Sequence, residues 1–71
     1  MIEGMVQNLA DRLAADGSDA EGWAQLVRSY VVLGRMDDAR AALGRARSAL
    51  ASDASKRAIV EEAAKSAGLQ P

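Results

Sequence analysis

The sequence predicts an all-α fold of about four short helices joined as antiparallel hairpins. Three observations carry this prediction. Apolar residues recur every three or four positions along most of the chain. The single proline, Pro71, is the last of the 71 residues, so no helix interior is interrupted by one. No stretch shows the apolar-polar alternation that a half-buried strand requires.

The elements follow in order. Ile2, Met5, Val6, Leu9 and Leu13 recur at helical spacing and predict a first helix from about Ile2 to Ala15. Gly17 then offers a left-handed stop after Asp16. Ser18-Asp19-Ala20-Glu21 reads as a capping box, with Ser18 accepting from the third helical amide and Glu21 reaching back to the Ser18 amide. Trp23, Leu26, Val27, Tyr30 and Leu33 form one stripe on a second helix, Asp19 to Leu33, ended by Gly34. Asp37 and Asp38 favour the positive end of a third helix, along which Ala39, Leu43, Ala46 and Leu50 recur. Gly44 inside that helix costs about 1 kcal/mol relative to alanine, and reads either as close backbone packing or as a tolerated surface glycine. Ser52-Asp53-Ala54-Ser55 marks the next break. Val60, Ala63, Ala64 and Ala67 give a fourth helix, ended by Gly68 with Leu69 as its hydrophobic follower.

Composition narrows the function. Hydrophobic residues make up 49% but aromatic ones only 3%, which suits helices that approach closely rather than a core of large side chains. Nine basic and ten acidic residues leave a net charge of −1, and no nucleic-acid partner is expected without a basic patch. Cysteine and histidine are absent, so thiolate nucleophiles, imidazole bases and the usual zinc or haem ligands are missing, and no cofactor or metal is expected. The acidic pairs Asp37-Asp38 and Glu61-Glu62 diverge by about 100 degrees on a helix and make no acid-base site. An enzyme is not expected. No apolar run approaches the roughly 20 residues that span a bilayer, so this segment is expected to make no membrane contact. Met1-Ile2-Glu3-Gly4 does not read as a signal peptide.

The whole aromatic complement, Trp23 and Tyr30, falls within residues 22–43. There the chain reads W-x2-L-V-x2-Y and then A-x3-L, which resembles the tetratricopeptide repeat pattern. Trp23, Leu26, Tyr30 and Ala39 match by identity, while Val27 and Leu43 replace the small residue and the aromatic. The resemblance implies a short array of this type: a half repeat over 1–17, a full repeat over 18–53 and a terminal capping helix over 54–69. The aromatics then fill the seam between the two helices of one repeat.

A more specific resemblance covers about 40 residues. Met5-Val6, Leu9-Ala10, Arg12-Leu13, Glu21-Gly22-Trp23, Arg28-Ser29-Tyr30 and Val32-Leu33-Gly34-Arg35 stand in the order found in the periplasmic tetratricopeptide domain of bacterial cytochrome c biogenesis proteins of the CcmI/CycH type. Gly17 replaces the family's proline and Met36 its usual tyrosine. The resemblance implies a periplasmic chaperone module of a membrane-anchored parent chain. It implies a client, apocytochrome c held largely through its C-terminal helix, and delivery to the haem-ligation subunits. The alternative is a generic scaffold for protein assembly or self-association.

The expected binding surface is the face of the second helix opposite the aromatic stripe. Glu21, Ala24, Arg28, Val31, Val32 and Arg35 project there in a repeat of this type, joined from the fourth helix by Ala58, Glu61 and Lys65. Small apolar residues edged by charge suit an amphipathic helix or an extended peptide, with an arginine for a carboxylate. Self-association as a homodimer is also expected, because a short array leaves Met1, Ile2, Met5 and Val6 without a covering neighbour.

Overall fold

The computed structural model describes residues 2–69, with side chains from residue 4 onward. The expected exposure of Met1 and Ile2 and the place of Pro71 lie outside the described residues. Four helices occur in order: α1 Ile2–Ala15, α2 Ala20–Val32, α3 Met36–Ala49 and α4 Ala54–Ser66. No strand occurs among the described residues. The fold is all-α.

The second helix organises the others. α2 packs on α1, α3 and α4, most extensively on α3 and α4, whereas α1 packs on no helix but α2. Trp23, Leu26 and Val27 of α2 are buried, together with Ala39, Ala42, Leu43, Ala46 and Leu50 from the α3 segment. Val6 and Leu13 enter the core from α1, and Val60, Ala64 and Leu69 enter it from the α4 segment. Alanines at the α2–α3 and α2–α4 seams keep the backbones close, which is how so few large side chains fill the interior. No polar or charged residue is buried among the described residues.

Helices α2 and α4 end in the same way. Gly34 adopts φ of 76° and Gly68 φ of 87°. Gly34 donates its amide to the Val31 carbonyl and Arg35 to the Tyr30 carbonyl, at 3.0 and 2.8 Å. Gly68 and Leu69 repeat these bonds to Lys65 and Ala64, at 3.1 and 2.9 Å. Both ends are Schellman motifs, which satisfy carbonyls that the helix leaves unpaired. The buried Leu69 follows the second as its apolar contact.

The α1–α2 connection departs from expectation twice. Gly17 is not left-handed; only Gly34 and Gly68 have positive φ among the described residues. Gly17 is instead a close approach, since an added Cβ would lie 2.7 Å from the Ala49 Cβ on α3. The N-cap of α2 is Asp19 and not Ser18: the Asp19 carboxylate accepts from the Gly22 amide at 3.0 Å. A carboxylate accepts more strongly than a hydroxyl and answers the positive helix end. Ser18 donates its hydroxyl to Asp16 at 2.6 Å instead. That bond, with one from the Ser18 amide, holds the Asp16 carboxyl below its ordinary pKa.

Helix α3 begins with Asp37 and Asp38 in its first turn, and Gly44 lies on its exposed surface with nothing within 4 Å of an added Cβ. Of the two readings of Gly44, the surface one holds. Asp53 caps α4 by accepting from the Lys56 amide at 3.1 Å.

Candidate peptide-binding groove

The outer face of α2 and the adjoining face of α1 form a groove of about 680 Å³. Its register is set where the helices meet at Gly22. An added Cβ there would lie 3.0 Å from Leu13 Cδ2 and 2.7 Å from the capping carboxylate of Asp19, so a larger residue would push those side-chain ends aside. The groove rises from that contact. Val6, Leu9 and Ala24 supply an apolar floor, and Met5, 65% exposed, adds a flexible thioether. Arg12 on α1 and Arg28 on α2 are exposed and both line it. Neither has a hydrogen-bond or ion-pair partner among the described residues.

The expected site residues do not all meet here. Glu21, Ala24 and Arg28 line the groove together. Ala24 was expected to project outward, but it is only 4% exposed and belongs to the floor. Val31 is half-buried and packs on the core. Val32 does project, at 79% exposure, but does not line the groove. Arg35 was expected to be available to a ligand carboxylate. Its Nε instead lies 2.7 Å from the Asp38 carboxylate, and its guanidinium stacks on the Tyr30 ring at 5.2 Å from the centroid. Both contacts follow from the turn at Gly34, which carries Arg35 back over Tyr30 and beside the first turn of α3.

The α4 residues stand apart from this groove. Glu61 was expected to join it but turns toward α3, where Arg47 clasps it with two bonds of 2.8 and 2.7 Å. This bidentate pair holds the Glu61 carboxyl below its ordinary pKa and raises that of Arg47. It ties α4 to α3, whose mutual packing is otherwise thin. Lys65 and Ala58 are exposed, away from the groove.

Arg12, Met5, Leu9 and Gln25 line the groove without having been expected there. The signal for the α1 residues was present. In an antiparallel hairpin the same face of α1 that buries Leu13 beside Gly22 brings Leu9 and Arg12 alongside α2. A second, more open cleft lies between the end of α1 and α3, over Trp23, and is lined by Ala14, Gly17, Ala41, Gly44 and Ala49 among others. Small side chains line it, with Arg45 as its one charge. Among the described residues no group of His, Cys, Asp or Glu is placed to hold a metal ion, and no helix is long and apolar enough to cross a membrane.

The chain is similar to two proteins named cytochrome c-type biogenesis protein CycH. One, from Bradyrhizobium diazoefficiens, is 44% identical over 69 residues, which cover 97% of this chain and 19% of the relative. Another, from Rhizobium meliloti, is 58% identical over 43 residues, covering 61% of this chain and 11% of the relative. The chain thus spans less than a fifth of either relative's length. No protein-family model matches the chain. No solved structure matches it.

Proposed function

We propose that the chain is a peptide-binding module of tetratricopeptide type that serves c-type cytochrome biogenesis. In this reading it holds the haem-free cytochrome polypeptide in the α1–α2 groove until the haem-ligation subunits act. One observation carries the proposal: the 44% identity, over nearly the whole chain, to a protein named for cytochrome c-type biogenesis. The groove supports the reading, because an apolar floor edged by unpaired arginines suits an amphipathic helix. The module acts by binding and not by catalysis, and it works in the periplasm, where its parent chain is anchored to the membrane. Calorimetric titration with haem-free and haem-loaded cytochrome c tests the reading. Saturable binding is expected for the haem-free form only. Equal binding of both forms, or of neither, would overturn it.

A second reading, a scaffold that self-associates, is favoured by one observation. Val32 and Met36, on either side of the Gly34 turn, are 79% and 41% exposed. Sedimentation over a range of concentrations decides it: a strict monomer removes this reading and leaves the first intact.

A further inference from the structure

We infer that Arg12 and Arg28 form a two-walled clamp for side-chain carboxylates on an amphipathic helix lying in the α1–α2 groove. The inference deepens the proposed function and rests on it. It starts from an inequality among the arginines. Arg35 is paired with Asp38, Arg40 with Asp37 and Arg47 with Glu61. Arg12, Arg28, Arg45 and Arg57 have no such partner among the described residues, and of these Arg12 and Arg28 line the groove. Their charge is left for a ligand.

Their position decides what kind of ligand. Leu13 faces Gly22, so antiparallel register sets Arg12 opposite Trp23, about five residues before Arg28, or roughly 7–8 Å along the groove. The two arginines stand on opposite walls, with the apolar floor of Leu9 and Ala24 between them. A helix laid on that floor buries its apolar stripe and turns its flanks to the two walls. The matching ligand therefore carries an acidic side chain on each flank, about five residues apart along its axis. A terminal carboxylate fits this less well, because the arginines lie along the groove, with Met5 beyond one and Asp19 beyond the other. Glu21 also lines the groove and repels such a ligand, whereas the Asp19 carboxylate is engaged in capping α2. The clamp thus admits acidic flanks near Arg12 and Arg28 and disfavours them near Glu21.

The test uses the 71-residue chain and a peptide of the C-terminal helix of haem-free cytochrome c. The peptide is prepared in three forms: native, with its acidic side chains as amides, and with only its terminal carboxylate amidated. Arg12→Gln and Arg28→Gln should each weaken binding of the native peptide about fivefold to tenfold, the range between exposed and desolvated charge contacts. The double variant should show the product of the two losses, because separate carboxylates are held. Glu21→Gln should tighten binding. The side-chain amide peptide should bind weakly and be indifferent to both arginine changes, while the terminal amide should behave as native. All variants should melt with the parent, since these side chains are exposed. If the terminal amide alone loses affinity, or if Arg12→Gln binds as wild type, the clamp is overturned while the proposed function stands. If the unmodified chain binds no form of the peptide and no haem-free cytochrome, both fall.

Discussion

The two turns that flank α2 do the same job by different means. The turn into α2 is built from side chains and a distant neighbour. Asp16 holds Ser18, Asp19 caps the helix, the Trp23 indole N–H donates to the Gly17 carbonyl at 2.9 Å, and Gly17 seats against Ala49. The turn out of α2 is closed by backbone, with Gly34 in the left-handed region and two amide-to-carbonyl bonds, and the Arg35 side chain lies over it between Tyr30 and Asp38. An added Cβ at Gly34 would meet nothing within 4 Å. One glycine is required by what touches it, the other by the dihedral it adopts. The difference teaches that a glycine in a turn of a helical protein has two separate uses, which respond to different substitutions.

The largest expected effect tests the anchor of the first turn. Trp23 is 4% exposed and joins the α1–α2 turn to the core. Trp23→Ala should cost about 3–5 kcal/mol, enough to unfold a chain of this size. Trp23→Phe keeps most of the apolar contact but loses the bond to Gly17, and should cost markedly less. A cooperative thermal transition near the parent midpoint in Trp23→Ala would break the account of the core.

Next comes the close approach. Gly17→Ala places a methyl 2.7 Å from the Ala49 Cβ and should cost about 1–3 kcal/mol through overpacking. Ala49→Gly in the same chain should recover much of that loss, because the clash is pairwise. Denaturant titration of the single and double variants measures the coupling, and simple additivity would remove the packing explanation.

Gly34 should behave differently. Gly34→Val should lower stability by more than the ordinary helix-propensity difference, because its Cβ is strained at positive φ. Gly34→Asn should be better tolerated, since asparagine visits that region. No neighbouring substitution should rescue Gly34→Val, as there is no neighbour to relieve. Equal stability of the Val and Asn variants would contradict the dihedral argument.

How much of this the sequence shows can be argued from the same two turns. Gly34 and Gly68 were legible because helix periodicity stops at each and the local chain alone dictates the conformation. Gly17 was not, because its partner Ala49 is more than thirty residues away and contact between distant segments leaves no local pattern. The cap was misplaced by one residue where Ser18 and Asp19, both good caps, stand side by side, and only the geometry distinguishes them. The core of α2 and α3 followed the apolar spacing. The candidate site was only partly readable. Outward-facing positions of α2 were known from the helix period, but which neighbour lies beside each depends on α1 and α4. Hence Arg12 was missed, and Arg35 and Glu61 proved to be engaged within the molecule.

The smallest expected effect concerns acid. The bond from Ser18 lowers the pKa of Asp16 first of all, and the bond from Arg47 lowers that of Glu61. A carboxylate whose pKa is depressed on folding contributes stability above its unfolded value and loses it as pH falls through the folded one. The ordinary values are 3.8 and 4.5, so the melting midpoint should decline as pH falls below that range. Both groups are exposed, and the change should be slight. Asp16→Asn should flatten part of the decline that belongs to the first turn, and Gly34 variants should leave its slope unaltered. A midpoint independent of pH between about 5 and 2 would contradict both assignments.

The central claim is that the aromatic face of α2 holds the fold while its outer face recognises a client. The most direct measurement is the affinity of wild type and Arg28→Glu for haem-free cytochrome c by calorimetric titration, with melting curves of both proteins. The account predicts at least a tenfold loss of affinity, shrinking at high salt, at a nearly unchanged melting midpoint. Equal affinities, or a loss of stability together with binding, would contradict it.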